Sequence, residues 1–379
     1  MPGLNLEPGH SQYRCTLVAL FLIGISTFGL MYPVQPLFVT IGADYGRNAA
    51  ETSLLLSATT LGIALAVIPL AGLSSRIGRA RAMQVGLLTA TLAGVASAFA
   101  GPWWLLVLTR GIVGIGLAFI MVSAMAWVVA EASPWAFGRI GGLYISGTTM
   151  GGVLGRLSSG LFAEVLDWRG AILVTSLLAL GTGIMAHILL PGSTAPTRVV
   201  TRTEVRGPDP NRWFRLRMFL VAGFGMAAFV GTYNVTTYRV AGDPFWLGPG
   251  FTGMLFLTYL SGTLTSAVGG RWVQRWGLNR VILAGAVLAI SGVLVTLVPS
   301  LIAIIGGHLM LAAGFLGLHS VANGGAARYS PAPSRSSAFY TLSYYVGSSV
   351  GGVLLGLAWD AGGWPASVAS AVALLAVVA

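Results

Sequence analysis

The sequence predicts an all-α integral membrane protein, with twelve transmembrane helices arranged as two pseudo-symmetric six-helix bundles. Three observations predict it. Of 379 residues, 55% are hydrophobic and only 8% charged, whereas about a quarter of the residues in a soluble domain carry charge. Apolar stretches of about 20 residues, the length that crosses about 30 Å of hydrocarbon, occur twelve times. The second half of the chain also repeats landmarks of the first at a nearly fixed offset. A mean hydropathy of +0.83 and 53 glycines suit helices that pack closely in lipid. This composition argues against a soluble enzyme.

The stretches lie near 15–38, 52–73, 82–100, 103–130, 140–162, 168–190, 217–239, 251–269, 280–298, 301–327, 336–357 and 364–379. The first is longer than a signal-peptide core and lacks a small-residue cleavage site before the next charges, so it reads as a retained span. Pro33 and Pro36 interrupt its helical hydrogen bonding near one end. The second and third spans are separated by a basic loop, as are the eighth and ninth. The fourth and fifth hold Arg110 and Arg156 in apolar surroundings. A hydrophilic stretch with Pro191, Pro196, Pro208, Pro210 and several arginines follows the sixth. The expected organisation is therefore a half at 1–190, a linker at 191–216 and a second half at 217–379. The last span has 16 residues, about 24 Å of helix.

All 21 basic residues are arginine. With the N-terminus inside, sixteen fall in cytoplasmic segments, three (Arg47, Arg169, Arg239) fall outside, and Arg110 and Arg156 lie within spans. This is the bias of the positive-inside rule. The arginine excess therefore reports topology rather than nucleic-acid binding, and both termini are expected on the cytoplasmic side of the membrane. The lone Cys15 and four scattered histidines offer neither a disulfide nor a metal site. No P-loop is present to bind ATP. No cofactor is expected, and nothing demands more than a monomer.

The repeat is specific. Gly114, Tyr144, Gly147, Gly151, Gly152, Val153 and Leu154 recur as Gly314, Tyr344, Gly347, Gly351, Gly352, Val353 and Leu354 at an offset of 200. AGLSSRIGRAR at 71–81, with Arg76, Gly78, Arg79 and Arg81, is answered by GGRWVQRWGLNR at 269–280, with Arg275 and Gly277. Gly147, Gly151, Gly347 and Gly351 read as close-packing positions. At these residues the chain resembles the major facilitator superfamily over nearly its whole length, and its texture is nearest to bacterial arabinose-efflux-like and drug-efflux-like members. The 71–81 segment looks like that family's gating loop, and LTRGIVGIGLA at 108–118 looks like its fourth-span signature. GTTMGGVLGR at 147–156 is similar to its glycine-rich antiporter signature, with Gly152 where a proline is usual and Arg156 in place of a glycine. Ser75 and Gln274 stand where the loop signature normally carries an acid. The resemblance implies parallel six-span repeats, alternating access, and a cavity lined by spans one, four, seven and ten.

Which residues do the work follows from what is costly in a membrane. An arginine in hydrocarbon costs about 2.5 to 3.5 kcal/mol, so Arg110 and Arg156 must face protein or water. They are read as an anion clamp for a carboxylate or phosphate, and the resemblance gives Arg110 a part in proton transfer. The alternatives are that Arg110 braces helices through backbone carbonyls and that Arg156 snorkels to Glu164 or Asp167. His308, Phe315, His319 and Asn323 share one helical face, where a histidine can titrate and couple transport to protons or sit neutral on a backbone carbonyl. Tyr32, Gln35, Tyr233, Asn234 and Tyr238 complete the expected cavity. Trp103, Trp104, Trp168, Trp246 and Trp364 are expected in an interfacial belt. No acid lies well inside a span, which weakens a lipophilic-cation antiporter. The reading is a secondary active transporter, coupled to protons and exporting a small polar or anionic solute. A multidrug antiporter is the alternative.

Overall fold

The computed structural model describes residues 6, 8–10, 12–191 and 211–379. Most of the expected linker, 192–210, lies outside the described residues. Helices α1 (Tyr13–Met31), α2 (Phe38–Tyr45), α3 (Ala49–Ile77), α4 (Arg79–Ala98), α5 (Trp103–Glu131) and α6 (Phe137–Leu189) come first. They are followed by α7 (Arg212–Ala241), α8 (Pro249–Leu255), α9 (Tyr259–Trp276), α10 (Leu278–Val295), α11 (Leu301–Arg328) and α12 (Pro333–Val378). Outside the helices, one isolated bridge joins Leu6 to Ala132. There Leu6 gives its N–H to Glu131 and accepts that of Ser133.

Nine helical segments among the described residues are long and apolar enough to cross a membrane. Two of them hold two expected spans each. α6 breaks at Asp167, where φ is 68°, and α12 at Gly362 and Gly363. α4 has 20 residues but is diluted by Arg79 and Arg81, which sit in its first turn rather than in a preceding loop. This architecture is consistent with twelve crossings. Expected span one is α1, a 3-10 turn at Gln35–Leu37, and α2. Its break follows from proline chemistry: Pro33 and Pro36 have no N–H to return to Gly29 and Tyr32.

Contacts gather the chain into two compact units. Unit one is Met1–Leu37 with Ala58–Thr201, and unit two is Phe38–Ser57 with Arg202–Ala379. In unit one, α1 lies against α6 along a glycine seam. A Cβ added at Gly147 would strike the Phe21 carbonyl, and one at Gly151 would strike the backbone of Ile25. In unit two, α7 and α12 repeat the arrangement, with Gly347 on Gly223 and Gly351 on Ala227. The sequence repeat is thus also a packing repeat, in which missing side chains let backbones touch.

The basic loops are likewise related. Gly78 joins α3 to α4 at φ 94°, and Gly277 joins α9 to α10 at φ 83°. Each donates its N–H to the residue four back, Ser74 or Val273, and accepts from the residue four on, Ala82 or Val281. A non-glycine residue would be strained at these dihedrals.

In unit two, the first turn of α3 is capped from far along the chain. Asp360, at the bend of α12, accepts the N–H groups of Ala49 and Ala50, at 3.1 Å each. Asn48 and Glu51 add a reciprocal local cap. Two tryptophans of the expected belt are inside the protein instead. Trp168 is buried, and Trp364 is buried with its indole N–H donated to the Thr296 carbonyl at 3.0 Å. Trp104 and Trp246 are exposed.

Candidate functional site

Where α1 ends, its last carbonyls lose their helical partners. Gln35 gives its N–H to Tyr32 rather than to Met31. The guanidinium of Arg110, from α5, fills the gap: its Nη2 donates to Met31 at 2.8 Å and to Leu30 at 3.2 Å. A cation at a helix C-terminus is favourably placed against the backbone dipole. Arg110 is 0% exposed, and its Nε has no hydrogen-bond partner. This is the backbone-carbonyl geometry anticipated as the alternative to a clamp, and it leaves the net positive charge without a carboxylate among the described residues.

Arg156, from α6, reaches the same break. Its Nε donates to Gln35 Oε1 at 2.7 Å, its Nη1 donates to Gly152 one turn back at 2.8 Å, and the guanidinium covers the Tyr32 ring. It is 1% exposed. It turns toward Tyr32 and Gln35 rather than toward the surface. The structure thus brings Tyr32, Gln35, Arg110 and Arg156 together around one interrupted helix in unit one. Both guanidiniums are closed off from solvent. The unit's apolar cleft of about 400 Å³, lined by Gly29, Gly151, Leu154 and Thr182, does not reach them.

In unit two, His308 is 0% exposed. Its Nδ1 faces the Ile304 carbonyl at 2.8 Å and its Nε2 faces the Thr236 hydroxyl at 2.9 Å. A carbonyl only accepts, so Nδ1 carries a hydrogen, while the Thr236 hydroxyl that faces Nε2 also lies 2.7 Å from the Thr232 carbonyl. Tyr233 meets His308 edge-on, ring centroids 4.7 Å apart, and its hydroxyl bonds Thr258 at 2.6 Å. His319 lies three turns along α11, its Nδ1 2.9 Å from the Tyr340 hydroxyl. One further turn on, Asn323 buries an Oδ1 that has no hydrogen-bond partner.

Asn234 and Tyr238 are placed apart from the histidines. Asn234 donates to Ser53 at 3.4 Å, and Tyr238 shares a 2.6 Å hydrogen bond with Thr52. Of the loop arginines, Arg76, Arg81 and Arg275 are exposed and Arg79 is half-buried. Sequence reasoning missed Thr236, Tyr340 and the Ser53 and Thr52 partners. Only the spacing of Thr236, three residues after Tyr233, hinted that it would share that face.

Glycine-seamed helix bundles, buried cations beside a broken helix and helices long and apolar enough to cross a bilayer are the architecture of a multi-pass membrane protein. Residues 16–265 match the Major Facilitator Superfamily, and the chain belongs to that family of small-molecule transporters. It is 33% identical to the inner membrane transport protein YnfM of Escherichia coli (strain K12), covering 100% of this chain and 92% of that one. It is 31% identical to the MFS-type transporter YybF of Bacillus subtilis (strain 168), covering 95% and 90%. Its fold matches a bacterial homologue of the human lysosomal transporter Spinster, solved in an inward-facing and occupied conformation. That match has a TM-score of 0.75 and 18% identity and covers 98% of this chain and 95% of that one.

Proposed function

We propose that the protein is a proton-coupled exporter of a small polar or anionic organic solute, working by alternating access. The observation that carries this reading is the pair of buried guanidiniums at the break after α1. Arg110 is fully buried and held, among the described residues, by carbonyls, and Arg156 reaches the same break on Gln35 and Tyr32. Burying such charge is costly unless it is used, and an anionic group on the solute would neutralise it. The same chemistry suits a carboxylate or a phosphate, since a guanidinium donates to both in a fork.

His308 is the proposed proton carrier, because the Thr236 hydroxyl donates to the Thr232 carbonyl, 2.7 Å away, which leaves its oxygen free to accept from Nε2 when that nitrogen takes up a proton. In this reading the halves 1–190 and 217–379 rock about the site, joined by 191–216. Both termini face the cytoplasm of a bacterial inner membrane, as the arginine bias supports, and the working unit is a monomer. The antiporter-like glycine run at 147–156 supports export.

A second reading, export of lipophilic compounds, draws on the connected rings of Phe256, Tyr233, Phe229 and Phe315, with neighbouring centroids 4.7 to 5.3 Å apart. Flux into proteoliposomes separates the two. Uptake of labelled carboxylates or sugar phosphates driven by an imposed pH gradient, and lost in Arg110→Ala, supports the first. Gradient-driven movement of lipophilic cations alone, unchanged in Arg110→Ala, overturns it in favour of the second.

A further inference from the structure

Outside the proposed transport site, unit two has a strongly polarised surface. Its described acids, Asp44, Glu51, Asp243 and Asp360, all lie at one end: the start of α3, the α7–α8 connection and the bend of α12. The opposite end, where α7 and α12 begin and α9 turns into α10, holds Arg212, Arg215, Arg217, Arg271, Arg275, Arg280, Arg328 and Arg335. No described acid of the unit is there to balance them.

A cleft of about 420 Å³ opens at that end, lined among others by Gly270, Gln274, Leu278, Gly324, Arg328 and Tyr329. A second cleft of about 310 Å³ shares Leu278 and Tyr329 and adds Asn279. Arg328 is exposed, has no hydrogen bond or ion pair among the described residues, and lies 6.0 Å from the Tyr329 ring. Gln274 places an amide where an acid would have neutralised it. At Gly270 and Gly324 an added Cβ would meet nothing, so the cleft wall is open there.

We infer that this cleft binds an anionic phospholipid, with its headgroup phosphate on Arg328 and its acyl chains running out past Gly270 and Gly324. Charge complementarity selects an anion. The choice of a lipid over a free ion rests on position. Trp272 and Trp276 stack on α9, 6.2 Å apart and next to Arg271 and Arg275, the aromatic and basic pairing that marks headgroup level. The cleft walls are also largely apolar, with Leu278, Val273 and Val321 beside the polar groups, as acyl chains require and a hydrated ion does not.

The test is thermal unfolding of the full-length protein, delipidated in a neutral detergent and titrated with a short-chain phosphatidylglycerol, the matching phosphatidylcholine, or inorganic phosphate. Binding to the folded state raises the melting temperature. Phosphatidylglycerol is expected to raise it saturably, and the other two are not. An arginine near an anionic headgroup contributes about 1 kcal/mol, so Arg328→Gln should weaken the apparent affinity about fivefold. Gln274→Glu, which puts a carboxylate into the cleft, should weaken it at least as much. Both side chains are exposed, so neither substitution touches the core. Equal stabilisation by phosphatidylcholine or by inorganic phosphate would overturn the assignment, as would unchanged phosphatidylglycerol affinity in both variants.

Discussion

The guanidinium carbon of Arg156 stands 3.5 Å from the centroid of the Tyr32 ring. At that distance, and with the pair almost completely dehydrated, the ring's negative face attracts the cation by up to about 2 kcal/mol. The contact ties α6 to the interrupted end of α1, next to the Leu30 and Met31 carbonyls that Arg110 caps.

This pair should behave as one unit. Tyr32→Leu and Arg156→Gln are each expected to lower the melting temperature, and the double variant is expected to fall by less than the sum. A coupling of about 1 to 2 kcal/mol in that cycle would match the geometry. Strict additivity would show that the two side chains are merely neighbours.

Arg110 offers a separable prediction. Arg110→Lys keeps the charge, and one ammonium nitrogen can donate to both carbonyls as Nη2 does now, so most thermal stability should persist. It loses the planar fork with which a guanidinium holds a carboxylate or phosphate, so solute flux in proteoliposomes should drop about tenfold or more. Wild-type flux in the lysine variant would leave Arg110 a helix cap and nothing more.

The two kinds of glycine should fail differently. Gly147→Ala and Gly347→Ala drive a methyl into the facing backbone and should cost similar amounts, about 1 to 3 kcal/mol each. Gly78→Ala and Gly277→Ala meet open space but must hold a positive φ, a strain of about 1 to 3 kcal/mol. Thermal unfolding of all four, each paired with the matching Gly→Ser change, checks this. A larger side chain should worsen the seam variants and leave the loop variants about as they were.

A last prediction concerns the distant cap on α3. Asp360→Ala removes the acceptor for the Ala49 and Ala50 N–H groups and should cost about 1 kcal/mol, whereas Asp360→Asn keeps one acceptor oxygen and should cost less. Amide hydrogen exchange at Ala49 and Ala50 reads this locally, with faster exchange expected in the alanine variant.

The fold class was legible because hydropathy is a property of each segment alone. Twelve apolar stretches and a 200-residue echo required no knowledge of neighbours. The family loops were legible for the same reason, since Gly78 and Gly277 announce a backbone need. The roles of Arg110 and His308 were legible only as a choice of two, because each depends on which carbonyl faces the side chain. Nothing in the order of residues shows that α5 passes the end of α1, or that Thr236 faces His308 from α7. Trp168 and Trp364 deceived for a related reason. Each directly follows a helix corner and is buried there, where sequence position alone suggests an exposed end.

The corner at Asp167 also bears on how the chain is made. It joins two helices through one non-helical residue, and the Asp167 carboxylate accepts the Gly170 N–H at 2.9 Å in the first turn of the second. The second such corner, at Gly362 and Gly363, is nearly as short. With scarcely any polar connector to solvate, each pair of spans can leave the ribosomal exit path and enter the bilayer as a ready-formed helical hairpin. Biosynthesis would then add the fifth with the sixth crossing, and the eleventh with the twelfth, in single steps.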